Sequence, residues 1–375
     1  MTIASPLPVQ AAELDAGGPA AAGPDRLYPL RRTLEAVLVP VAALALAAAA
    51  FSVFLVFLGK SPGAYLELVY QGAFGSAFSF QNTLERAAPL LLTALCAALP
   101  ARVGLVIIGG EGAVVLGGLA AAAVAVPIAQ APAPIVQTAM ALAAAAVGAA
   151  WIALAGWLRA VRGINETIAS LLLSYVALAI FNHLVEGPLR DPANVNKPST
   201  APIGADNMLP QLPGTDVHPG FAVGVVACIA FAILIRRTSF GFACRVTGGN
   251  VRAAQMQGLA VVRLVLIACA LAGACAGLAG MIEVAAVHGT ANASLAAGYG
   301  YAGILIAFLA RHNPLAVIPM AVLVGGITAS GGLVQRRLGM PDATALVLQG
   351  VIFLSILTSE TLYGRFRWFQ PRVAP

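Results

Sequence analysis

The chain has 375 residues, of which 60% are hydrophobic and only 10% charged, and its formal net charge is +6. Soluble domains carry about 25% charged residues; this composition and a mean hydropathy of +0.89 exclude a soluble globular fold and point to an all-α polytopic membrane protein. The basic residues are dispersed rather than gathered in one patch, which excludes nucleic acid as a partner and makes the lipid bilayer the first one.

The N-terminal stretch is rich in Ala, Pro and Gly and carries Glu13, Asp15 and Asp25. It lacks a basic region followed by a short apolar core, so residues 1–33 read as a disordered cytoplasmic tail and not as a signal peptide. A bilayer-spanning helix needs about 20 mostly apolar residues. Ten candidates follow, at about 36–58, 84–101, 104–126, 134–158, 166–185, 220–235, 262–284, 299–311, 314–333 and 343–360. They fill a bundle over 34–363, and 364–375 form a second cytoplasmic tail.

The third span carries Glu111 among Gly109, Gly110 and Gly112. An ionisable group in hydrocarbon costs roughly 2.5–3.5 kcal/mol, so it faces a bundle interior or a cavity. Adjacent glycines let a membrane helix unwind where it lines such a cavity. Arg102 is near enough in sequence to be its partner. The eighth span is short enough to be half of a re-entrant pair, so one or more broken or re-entrant helices are expected.

The fifth span opens on Asn165 and Glu166, directly after Arg159 and Arg162. Asn165 suits an N-cap and Glu166 the positive helix end; the alternative is that they line a pathway. Residues 186–219 have many prolines and no apolar period, and read as an external loop. Residues 236–261 are a cytoplasmic loop in which Gly248 and Gly249 make a turn and Asn250 caps a short helix from about Val251 to Gln257. In the seventh span Gly273 and Gly277 form a GxxxG that permits close helix approach. Glu283, near the outer end of that span and close to His288 and Asn292, either lines an external mouth or is solvated. Tyr299 and Tyr301 either stack on a base or sit at the membrane interface.

Lys and Arg set the orientation. With the N-terminus inside, the inner segments hold fifteen basic residues and the outer ones six (Lys60, Arg86, Arg190, Lys197, Arg336 and Arg337). Both termini are therefore placed in the cytoplasm. Gly59-Lys60-Ser61 has the tail of a phosphate-binding loop, but Phe54 stands where its first glycine is required. There is no catalytic constellation and no metal-ligand spacing among the five cysteines, so no catalytic residue and no metal site are assigned.

Six stretches occur together in one order: Thr83-Leu-Glu-Arg-Ala-Ala-Pro-Leu-Leu-Leu-Thr-Ala-Leu95; Ile108-Gly-Gly-Glu-Gly112; Asn165-Glu-Thr-Ile-Ala-Ser-Leu-Leu-Leu-Ser-Tyr175; Thr247-Gly-Gly-Asn-Val-Arg-Ala-Ala254; Gly277-Leu-Ala-Gly-Met-Ile-Glu-Val284; and Gly300-Tyr-Ala-Gly303 leading to Arg311-His-Asn-Pro314. From about 60 to 360 the chain resembles permease subunits of bacterial ABC importers of the branched-chain amino acid/ribose/nucleoside superfamily, in the nucleoside and simple-sugar branch. It departs from that family where Val106, Ile107 and Ile108 replace a Phe-Asn pair.

The resemblance implies a plasma-membrane permease for nucleosides, with ribose or another simple sugar as the alternative. It implies a second homologous permease, an ATPase with two nucleotide-binding domains, and an external substrate-binding lipoprotein or protein. ATP and Mg belong to that ATPase, and this chain needs no cofactor. By the same resemblance Arg245, Gly248, Gly249, Asn250, Ala253 and Ala254 couple to the ATPase. Gly109, Gly110, Glu111, Asn165, Glu283, Tyr299 and Tyr301 belong to the substrate pathway, and Arg190, Arg336 and Arg337 dock the binding protein. An autonomous secondary transporter or channel is the alternative of another class, because its helix breaks and buried acid look the same.

Overall fold

The computed structural model describes residues 28–194, 197–341 and 343–360. Thirteen α-helices and no strand occur among the described residues: α1 Tyr28–Phe57, α2 Pro62–Phe74, α3 Ala77–Ala101, α4 Gly110–Ala125, α5 Ala133–Arg162, α6 Glu166–Glu186, α7 Gly220–Arg237, α8 Ser239–Gly249, α9 Val251–Met256, α10 Val261–Ile282, α11 Tyr299–Leu309, α12 Pro314–Leu338 and α13 Ala343–Glu360. Seven of the described helices (α3 to α7, α10 and α12) are long and apolar enough to cross a membrane. α11 and α13 belong to shorter apolar segments. Of the expected tails, residues 28–33 lie in α1, while 1–27 and 364–375 lie outside the described residues.

The first span runs on into α2 through a bend of 119°. Local chemistry makes it: Gly59 has φ 68, Ser61 caps α2 by accepting from Ala64, and Pro62 sits at the first helical position. Lys60 donates to the Leu338 carbonyl at 2.7 Å, and Thr83 to the Ala73 carbonyl at 2.8 Å, which fastens α2 beside α12 and α3.

The glycines before Glu111 do not interrupt a helix, as the sequence had suggested; α4 begins at Gly110, after an irregular stretch over 103–109. The loop over 238–260 likewise folds as two helices, with Gly248 and Gly249 as the end of α8 rather than a free turn. Asn250 caps α9, accepting from Ala253 at 3.1 Å.

The centre of the bundle is a seam of α4, α5 and α10. A Cβ on Gly148 would lie 2.3 Å from the Gly273 carbonyl oxygen, one on Gly277 2.0 Å from that of Ala144, and one on Gly280 1.9 Å from that of Val114. Backbone therefore touches backbone, and dispersion between close-packed helices replaces the hydrophobic drive that lipid does not supply. α10 ends in a π-helical turn, Glu283–His288. The loop expected at 186–219 folds over that turn: Thr200 donates to Ala291 (3.0 Å), Ile203 to Gly289 (3.0 Å) and Leu209 to Ala285 (2.8 Å).

Candidate functional site

Glu111 stands in the first turn of α4 and is 2% exposed. Its Oε1 accepts from the Gly298 amide at 2.8 Å and its Oε2 from the Gly300 amide at 2.6 Å. Gly298 is the left-handed N-cap of α11 and offers no side-chain cap of its own. Glu111 supplies that cap from a distant helix, so the positive ends of α4 and α11 both meet one carboxylate. The pairing of Glu111 with Arg102 does not occur; Arg102 Nη2 donates instead to the His312 carbonyl at 2.5 Å. Tyr301 interacts electrostatically with Glu111 and Tyr175, and the two tyrosines are 41% and 59% exposed.

The stretch leading to Glu111 is held on α6. Thr167 Oγ1 donates to the Val106 carbonyl (2.9 Å), and Ser170 Oγ accepts from the Ile108 amide (3.1 Å). Glu166 Oε1 accepts from the Val106 amide at 3.5 Å, while its Oε2 lies 3.3 Å from Arg159 Nε. Gly109 passes so near α6 that a Cβ would lie 2.5 Å from the Ser170 carbonyl oxygen. Asn165 is exposed and caps α6, its Oδ1 accepting from Thr167 (3.0 Å) and Ile168 (3.1 Å). Val106 to Ile108 engage α6 through their backbone, so replacing polar side chains here leaves the clamp intact.

At the end of the bundle away from Arg102, a polar cluster assembles from several elements. Glu283 is 3% exposed and lies 3.6 Å from His288 Nε2. Tyr299 and Arg86 on α3 both lie close enough to Glu283 to act on it electrostatically. Glu85, beside Arg86, lies in the field of Asp216. Successive residues at the start of α11 thus meet two acids: Gly298 and Gly300 hold Glu111, and Tyr299 between them stands beside Glu283. Arg86 escaped the sequence reading as a site residue; its charge at the start of an apolar span was the available signal.

The basic end carries the loop helices. Gly248 lies against Arg102, since a Cβ there would be 2.5 Å from the Arg102 carbonyl oxygen. Arg245 donates to the Ile235 carbonyl, and Arg236 Nη2 to Asn313 Oδ1 at 3.1 Å. Ala254 is buried, while Gly249 and Asn250 are exposed beside an apolar tip of Val251 and Met256, the latter 84% exposed. Burial pushes the Cys244 thiol up to about 11 and, with Arg102 adding to it, brings His312 down to about 4. Arg190 follows α6, and Arg336 and Arg337 end α12; all three are exposed, on two separate elements.

Comparison with known proteins gives the chemistry a setting. Residues 79–357 match the family model described as "Branched-chain amino acid transport system / permease component". The chain is 34% identical to the glucose ABC transporter permease protein TsgB13 of Haloferax volcanii, over 90% of this chain and 92% of that one. It is 28% identical to the guanosine ABC transporter permease protein NupP of Bacillus subtilis, over 88% and 96%. It is 25% identical to the nucleoside ABC transporter permease protein NupB of Lactococcus lactis, over 85% and 90%.

Proposed function

Because this chain belongs to the branched-chain amino acid transport system / permease component family, we propose that it is the permease subunit of an ATP-driven importer and, with a second homologous permease, forms the pathway for nucleosides by alternating access. The observation that carries this reading is the first turn of α11, where a helix beginning among glycines stands between two buried acids, Glu111 and Glu283. Discontinuous helices with such termini are where membrane transporters place polar solutes. The cluster of Glu283, Tyr299, Arg86 and His288 offers donors and acceptors for sugar hydroxyls, and Tyr175 with Tyr301 offers faces on which a base stacks.

The positive-inside bias supports both termini in the cytoplasm of a bacterial inner membrane. The basic end then faces an ATPase with two nucleotide-binding domains, which uses the ATP and Mg. The exposed tip of α9 suits a groove on that partner: a short capped helix with a protruding Met256 acts as a rigid knob. Gly109, Gly110 and Asn165 shape the pathway through backbone approach and capping. Arg190, Arg336 and Arg337 face the outside, where basic groups guide docking of a substrate-binding lipoprotein or protein.

Import of a simple sugar is the second reading, favoured by the likeness to a glucose permease. Uptake of labelled adenosine and uridine, in cells lacking this chain and in cells with it restored, separates the two, with ribose and glucose as unlabelled competitors. Restored nucleoside uptake that neither sugar competes supports the first reading. Sugar uptake that depends on the chain, without nucleoside uptake, replaces it with the second.

A further inference from the structure

The basic end contains a contact chain that the permease reading does not use. Gly248, at the end of α8, meets Arg102 and Gly104 with no side chain between: a Cβ on Gly248 would lie 2.5 Å from the Arg102 carbonyl oxygen and 3.2 Å from the Gly104 nitrogen. Gly104 itself has φ 80, a conformation that brings its backbone to Gly248. A displacement of α8 therefore reaches Arg102 without slack, because close-packed backbone transmits strain.

Two routes leave Arg102. One is the chain itself, through 103–109 and its clamp on Thr167 and Ser170 to Glu111. The other is the guanidinium, which holds the His312 carbonyl at the foot of α11. Arg311 and His312 have φ 50 and 54, the left-handed region that non-glycine residues enter only when their surroundings hold them there. His312 also stacks edge-on against Phe308 of α11 at 4.9 Å, so the turn and the helix move as one. The two routes rejoin where Glu111 holds Gly298 and Gly300 at the head of α11. Arg102 Nε and His312 Nδ1 are buried at this crossing and have no partner among the described protein groups.

We propose that Arg102 is a positioning residue for transport: it ties the Gly248 end of α8 at once to the stretch ahead of Glu111 and to the foot of α11, so that motion of the loop helices opens or closes the Glu111 junction. The inference rests on the permease reading above and names the residue through which an ATPase would reach the pathway.

The test uses the whole complex, with both permeases, ATPase and binding protein, in proteoliposomes. Uptake of labelled adenosine or glucose, whichever the wild type carries, is divided by ATP hydrolysed. Arg102→Gln keeps the backbone contact with Gly248 and removes the tie to His312. The expected result is a loss of about tenfold in solute moved per ATP, with hydrolysis and subunit stoichiometry retained. Arg102→Lys recovers part of the loss. An unchanged ratio in Arg102→Gln overturns the proposal.

Hydrogen exchange on the wild type gives a second reading in case the variant does not assemble. Amides in 103–109 and 299–312 change protection together when ATP is added; ATP-dependent change in one stretch without the other overturns the proposal. A wild-type complex with no ATP-driven uptake of either solute overturns the permease reading, and the relay with it.

Discussion

Glu111 Oε2 lies 2.6 Å from the Gly300 amide, and a Cβ on Gly300 would lie 2.1 Å from the Glu111 nitrogen. Carboxylate and glycine are therefore complementary: the acid caps α11, and the missing side chain lets α4 come near enough to do so. Replacing Glu111 by Gln leaves one carbonyl oxygen for two amides and turns an NH2 group toward a buried donor. A buried unsatisfied polar group costs roughly 1–3 kcal/mol, so Glu111→Gln lowers the melting temperature in detergent. Gly300→Ala lowers the yield of monodisperse protein more severely. A Glu111→Gln protein that melts like the wild type would sink the capping role.

The Tyr299 hydroxyl is the neutral polar group set between Glu283 and Arg86. Tyr299→Phe keeps the ring and its packing, so the protein inserts and assembles normally. It removes the hydroxyl beside Glu283 and Arg86 where solute would enter. The expected outcome is a KM for uptake raised by about twofold to tenfold, the range lost with one ordinary hydrogen bond. Equal KM values in wild type and Tyr299→Phe would place the pathway elsewhere.

No atom lies within 4 Å of a Cβ added to Gly249, whereas Asn250 caps α9. The two positions separate docking from folding. Gly249→Trp leaves thermal stability unchanged and fills the space an ATPase would occupy, so copurification of the ATPase falls. Asn250→Ala removes a cap worth about 1 kcal/mol, frays α9 and slows uptake at unchanged expression. If Gly249→Trp retained a stoichiometric ATPase and full uptake, α9 would not be the coupling contact.

His312 lies outside the spans, and burial with Arg102 beside it brings its pKa down to about 4. The folded state therefore keeps the imidazole neutral over a range in which the unfolded chain, with an ordinary value of about 6.5, binds a proton. Because the unfolded state binds more protons there, stability is full above about 6.5 and is lost as pH falls toward about 4. The melting temperature should drop across that window in wild type, and less steeply in His312→Asn. The same slope in both proteins would remove His312 as the cause.

Much of the bundle was legible without coordinates, because the signals were local. Runs of about 20 apolar residues mark spans by composition alone, and each span read from the sequence has its helix. Asn165 and Asn250 announced themselves as caps because a short polar side chain before a helix accepts from amides two or three residues on. Glu111 was conspicuous as an acid in hydrocarbon, which fixes that it must have partners but not which.

What the sequence left open depends on surfaces that meet across long stretches of chain. The turn into α2 is not legible in the sequence, because its 13 residues are too few to register as a span and its direction is fixed by Lys60 and Thr83 reaching other helices. Sequence proximity alone suggests Arg102 as the partner of Glu111. The fold instead carries Arg102 to His312 and brings Gly298 and Gly300 to Glu111, since 103–109 leave the helix and separate the two residues. Composition and period determine which segments enter the membrane. The partners of their few polar groups follow from which helix faces pack backbone to backbone, and that is decided by the tertiary structure.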